Sequence, residues 1–159
     1  MDALVYAGTS YVGNSGLLVI DGGAAKTITT TVTINYCLKG KMFQKGAITN
    51  GAVPTTDANT GAAFTSLAAS EGNVYVYCLD ASGTLKVAEG KKQALDAAGN
   101  FILAPQFGPI PDTLVPFAYQ VIKNGATGSA WLYGTNNWNA TGITSSIKNG
   151  NLPDRPQVA

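Results

Sequence analysis

The chain has no histidine, one arginine, two cysteines and no long apolar run. Without histidine, Ser-His-Asp and Cys-His nucleophilic catalysis and the ordinary zinc sites are excluded. One arginine and a net charge of +1 leave no basic field to hold a phosphate backbone, so no nucleic-acid partner is expected. Two cysteines are too few for a cysteine-rich metal cluster. Both fall in β-patterned runs, Ile34 to Leu38 and Val74 to Leu79, so Cys37 and Cys78 are expected as reduced, buried thiols that pack as small hydrophobes. The longest apolar run, Leu17-Leu18-Val19-Ile20, is far short of a membrane span. The N-terminus, Met1-Asp2-Ala3-Leu4-Val5-Tyr6, lacks a basic region, and Gly8, Gly13 and Gly16 interrupt the next ten residues. Neither a membrane partner nor a secretory signal is expected.

Charge is also scarce. Charged residues make up 12% of the 159, about half the usual share. Hydrophobic residues reach 45%, enough for a core, so disorder is a poor reading. Gly, Ala, Thr, Asn and Ser together supply about half the chain.

What the chain does have is period-2 alternation. From Lys26 to Leu38, Ile28, Thr30, Val32, Ile34, Tyr36 and Leu38 share one face, and threonines with Asn35 line the other. That spacing predicts a strand with one packed and one wet face. Asn73 to Leu79 is apolar or aromatic on both faces, which predicts a central strand. Shorter strands are predicted at Leu85 to Val87, Phe101 to Leu103, Phe117 to Ile122 and Ala130 to Tyr133. Helical periodicity is confined to Thr60–Ser70, where a turn or two is the most expected.

The punctuation has its own chemistry. Asp80-Ala81-Ser82-Gly83 and Asp96-Ala97-Ala98-Gly99 share the form Asp-x-x-Gly, in which Asp bonds back to the backbone and Gly takes a positive φ. Their flanks match too, so two similar hairpin corners are expected. Pro105, Pro109, Pro111 and Pro116 predict an extended crossover over 104–116. Together these signals predict an all-β domain, a β-sandwich or jelly-roll-like barrel, over 26–148. An extended N-terminal arm over 1–25 and a C-terminal arm over 149–159 flank it. Sparse edge guards favour a symmetric oligomer that covers exposed strand edges.

No catalytic, cofactor or metal site is predicted. Asp21, Asp57, Glu71, Asp80, Glu89 and Asp96 occupy turn contexts, where local hydrogen bonding accounts for them. A calcium site near Asp57 and Asn59 lacks the acidic loop such a site uses, and no phosphate-binding glycine loop occurs. The pairs Lys39/Lys41 and Lys91/Lys92 read as solvated loop or edge guards. Trp131, Tyr133 and Trp138 are the candidate partner contacts. Core or subunit packing, a protein partner and carbohydrate stacking all remain open for them. Arg155, in the C-terminal arm, completes the candidate set.

Three segments resemble small virion structural proteins of tailed bacteriophages: Lys41 to Ala58, Val76 to Val87, and Ala104 to Pro111 leading into Phe117 to Ile122. The likeness lies in strand–turn order and small-residue style over roughly residues 35–159. Such proteins serve as capsid decoration (cement) proteins, head fibres or tail-fibre modules. The resemblance implies a non-enzymatic protein without cofactor that binds the major capsid protein on the outer shell as a homotrimer. It would be made in the host cytoplasm and end on the virion surface. The alternative it leaves is a head-fibre or tail receptor-binding protein, with Trp138 and nearby asparagines meeting a host glycan.

Overall fold

The computed structural model describes residues 10–14, 18–20 and 26–150. Among these the fold is all-β, with eleven strands, no helix and no closed barrel; it is a β-sandwich.

One layer is a bent meander. Strands β1 (Tyr11–Asn14) and β2 (Leu18–Ile20) run antiparallel to β4 (Ile34–Leu38) and β3 (Thr27–Thr30). Tyr11 faces Cys37 and Leu18 faces Thr30, seven residues further along each strand, with a register shift between Val12 and Asn14. Strands β5 (Lys41–Lys45) and β6 (Gly51–Ala52) return along β4 and β3 in the same way. A bend at Thr31–Thr33 splits the meander into two three-stranded sheets, β1-β4-β5 and β2-β3-β6. The single strand expected over 26–38 is therefore two. Its facing pattern mostly holds, with Ile28, Thr30, Ile34, Tyr36 and Leu38 buried, but Val32 at the bend is exposed and Cys37 is buried on the opposite face. The turn from β4 to β5 has two residues, Lys39 and Gly40, both at positive φ, the geometry that matches strand twist in a tight hairpin.

The second layer has the order β11-β10-β7-β8, with β9 extending along β7 beyond β8. Its members are β7 (Glu71–Leu79), β8 (Leu85–Glu89), β9 (Gln93–Ala94), β10 (Val115–Asn124) and β11 (Ile143–Asn149). β7 is central, as its two-faced pattern predicts. Tyr75, Tyr77 and Leu79 face the meander, where they meet Ile28, Ile34 and Tyr36. Val74, Val76 and Cys78 point the other way, to a second core closed by Phe101 and by Phe107 and Ile110 of the proline-rich segment. That crossover therefore covers the outer face of the sheet. Each large apolar side chain so buried contributes about 1.5–3 kcal/mol before entropy is counted. Pro116 falls inside β10, at a bulge between Pro116 and Ala118 that lets Phe117 and Ala118 both face the main core. A bulge is where a strand tolerates a missing N–H.

Several expectations change. Residues 11–14 and 18–20 of the expected N-terminal arm are paired strands, because Val12 and Leu18 supply core side chains. The rest of that arm lies outside the described residues. Asn149, assigned to the C-terminal arm, ends β11 and binds Leu18 through its side chain; 151–159 lie outside the described residues. Phe101–Leu103 and Ala130–Tyr133 form only isolated bridges, Phe101 to Leu95 and Trp131 to Leu67. Ile102 and Leu103 are exposed, and the segment around Trp131 bends into the core. Thr60–Ser70 forms turns and bridges without a helix.

Candidate functional site

The aromatic candidates come from the long β10–β11 connection, which folds back into one end of the sandwich. Trp131, Tyr133 and Trp138 are each at most 5% exposed. Tyr133 stacks on Tyr75 with centroids 4.2 Å apart, and Trp131 and Trp138 pack against Tyr133 at 6.1 and 5.6 Å. The Trp131 indole N–H donates to the Asn137 carbonyl at 3.1 Å, and that of Trp138 to the Thr27 carbonyl at 3.0 Å. A buried indole needs such an acceptor. Beneath them Asn124, fully buried, donates through Nδ2 to the carbonyls of Leu67, Ala68 and Ser129. As candidate partner contacts the three aromatics are corrected to a core plug, because their rings are buried and both indole N–H groups are spent inside the fold. Arg155 lies outside the described residues.

The carboxylates are fasteners. Asp57, buried, accepts the Thr60 N–H and hydroxyl on Oδ2 and the Glu89 N–H on Oδ1, at 2.8–2.9 Å. Burial alone would raise its pKa, but these donors together hold the carboxyl below its ordinary value. Glu89 accepts from the Thr65 N–H and hydroxyl and from Asn73 Nδ2. Burial, with the Asp57 charge adding to it, outweighs those bonds and raises its pKa. Opposite shifts in adjacent carboxyls can mark an acid–base pair. Here Asp57 lines a hollow of about 980 Å³ and Glu89 does not, so the two do not converge on that cleft. No cluster of three or more His, Cys, Asp or Glu that could hold a metal exists among the described residues.

The two Asp-x-x-Gly corners have the same geometry. Asp80 Oδ1 accepts the N–H of Ser82 and Thr84, and Asp96 Oδ1 accepts those of Ala98 and Asn100. Gly83 and Gly99 sit at φ 74° and 80°, each donating to its Asp carbonyl at 3.0 Å. Cys37 and Cys78 are buried thiols that form no disulfide among the described residues, and burial pushes the Cys78 thiol far above its ordinary pKa. A thiol so held is a poor nucleophile.

That hollow lies at the other end of β7, between the β4–β5 hairpin and the Asp80–Gly83 corner. It has a volume of about 980 Å³, within the range of ligand clefts. Leu38, Phe43, Leu85 and Leu114 form its apolar floor, and Lys41 and Lys86 stand at its rim. Phe43 is fixed by stacking on Tyr36 at 5.6 Å, and the Tyr36 hydroxyl donates to the Asp80 carbonyl at 2.7 Å. A second hollow of about 390 Å³ shares Lys39, Pro111 and Leu114 with the first. The Lys39–Asp112 ion pair, 2.8 Å long, stands where they meet. No single stretch of the sequence contains this hollow. Its walls come from four separated segments, and the only local signal is the lysines flanking Gly40. No family model, curated protein or solved structure matches the chain.

Proposed function

We propose that the chain is a bacteriophage virion structural protein: a capsid decoration protein that binds the outer shell as a homotrimer and stabilises the head through contact with the major capsid protein. The resemblance of three segments to such proteins supplies the class and the trimer.

The observation that carries the reading is the use to which the carboxylates are put. Asp57, Glu71, Asp80, Glu89, Asp96 and Asp112 each hold a turn, a loop or a lysine. Oxygens committed to backbone N–H groups are poorly placed to move protons for a substrate, and they make the loops rigid. Rigid surfaces lose little entropy on association. A contact of standard size, about 1,600 Å², repeated by symmetry then adds up to a stabilised shell. The receptor-binding alternative relied on an exposed Trp138, and that side chain is 5% exposed.

The test is addition of purified chain to capsids that lack it. Cosedimentation with the capsids and a raised thermal breakdown temperature are expected, since a ligand of the assembled state stabilises it by mass action. A chain that stays in the supernatant and leaves capsid breakdown unchanged contradicts the proposal.

A further inference from the structure

Strand β11 is the longest strand at a sheet edge among the described residues, and its register with β10 runs without a shift. Just beyond its two ends, the Gly142 carbonyl accepts the Gly125 N–H and the Gly150 N–H donates to the Phe117 carbonyl. Residues bonded to one neighbour alternate along an antiparallel strand with those that are not. Thr144, Ser146 and Lys148 therefore bond to β10, and Ser145 and Ile147 present their N–H and C=O groups outward. The Ile143 N–H bonds to the Ala140 carbonyl, which leaves the Ile143 carbonyl on that outer edge. Other edges are shielded. The loop after β6 covers β8 through the Ala58–Val87 and Asp57–Glu89 bonds, and Lys41 and Lys45 guard β5. From Ile143 to Ile147 there is neither charge nor proline, and Thr144 and Ser145 are exposed.

We infer that β11 pairs with β11 of a second copy of this chain, antiparallel about a two-fold axis through Ser145. The strand's own symmetry selects that occupant: Ile143-Thr144-Ser145-Ser146-Ile147 reads almost alike in both directions. About the axis Ser145 faces its own counterpart, Ile143 faces Ile147 and Thr144 faces Ser146. A two-fold contact requires such self-complementarity. The two Ser145 residues exchange N–H···O bonds, and each Ile147 N–H donates to the opposing Ile143 carbonyl. Ile143 and Ile147 already pack on the main core, so the pairing extends that apolar layer across the axis. Thr144 and Ser146 meet as hydroxyls on the other face, a favourable cross-strand pair. Lys148 falls opposite Gly142, and the two Lys148 residues stand about 20 Å apart along the pair, beyond the reach of screened charge. The same operation on β5 would set Lys41 against Lys45, like charges directly opposite. Residues 143–147 make a small contact, below about 1,200 Å², so it forms where copies are concentrated or held side by side. The inference goes beyond the decoration reading and does not rest on it: a two-fold pair is additional to a trimer contact and joins one trimer to the next.

The experiment is sedimentation velocity of the full chain at rising concentration, wild type against S145K and S145P. S145K places like charges on the axis and touches no bond to β10. S145P removes an outward N–H that β10 does not use, the place where an edge strand tolerates proline. Wild type is expected to convert to a species of twice the mass that S145K retains, and both variants should need about tenfold more protein or greater to do the same. Wild type and S145K sedimenting alike at every concentration overturns the inference. Cysteine pairs read the register. Opposed residues in such a pair have Cα atoms about 5.5 Å apart, within disulfide reach, so S145C should link to itself under mild oxidation. A97C, at an exposed corner, should link only by slow collision. T144C should link to S146C in a mixture in preference to itself. A97C linking as fast as S145C, or T144C linking to itself as readily as to S146C, also overturns the inference.

Discussion

Asp57 Oδ1 accepts the backbone N–H of Glu89 at 2.8 Å, joining the loop after β6 to the end of β8. The same loop pairs through the Ala58 N–H with the Val87 carbonyl at 2.8 Å, so it covers the backbone of β8. The carboxylate thus serves as a substitute strand partner. In D57N the amide nitrogen faces two donors on Thr60, and one acceptor is lost whichever way the group turns. A loss of about 1–3 kcal/mol is expected, measured by urea denaturation. Stability equal to wild type contradicts this role.

The opposite shifts of Glu89 and its neighbours give stability a two-part pH dependence. Glu89 has a raised native pKa, so the native state takes up its proton before the unfolded state does. Its contribution therefore improves as pH falls from about 7 towards the ordinary carboxyl range near 4. Asp57, Glu71 and Asp80 have lowered native values, so their contributions are present above the unfolded values and are lost as pH falls through the native ones. The melting temperature should hold or rise slightly down to about pH 5 and then drop below about pH 4. E89Q, which mimics the protonated group, should flatten the upper limb only. A steady fall in melting temperature from neutral pH, identical in E89Q, counts against the assignment.

Across the central pair of strands, the Tyr77 hydroxyl donates to Gln120 Oε1 at 2.6 Å, with both side chains fully buried. Y77F strands that oxygen and should cost about 1–3 kcal/mol. Y77F/Q120L removes both polar partners and should recover most of the loss. A thermodynamic cycle over the four proteins reads the coupling directly, and additive single effects would show that the bond contributes nothing.

Two glycines at positive φ separate conformational from steric cost. At Gly99 a Cβ meets nothing within 4 Å, so G99A should lose only the left-handed penalty, about 1–2 kcal/mol. At Gly134 a Cβ would strike the Pro54 carbonyl oxygen, so G134A should lose distinctly more. Equal losses in chemical denaturation contradict the close packing of the plug against that loop.

Local signals carried well into the structure. The alternation of Val74 to Leu79 identified the central strand, and the two Asp-x-x-Gly corners form as their residues predict. What failed was long-range. Lys39 and Lys41 read as loop or edge guards, but the strand they flank, Lys41–Lys45, was not predicted; it forms at a sheet edge because a two-residue turn returns it along β4. The segment around Trp131 reads as a strand, yet Asn124 and the backbone of Leu67 draw it inward as a plug. Nor does periodicity register the break at Thr31–Thr33, because the facing pattern largely survives the bend. The hollow was illegible for the same reason: no single segment contains it.

The most direct measurement of the central claim is the copy number of this chain on intact particles, by quantitative mass spectrometry against the major capsid protein. The account predicts copies that scale with the capsid subunits and occupy the outer surface. Absence from particles, or a handful of copies confined to the tail, would contradict it.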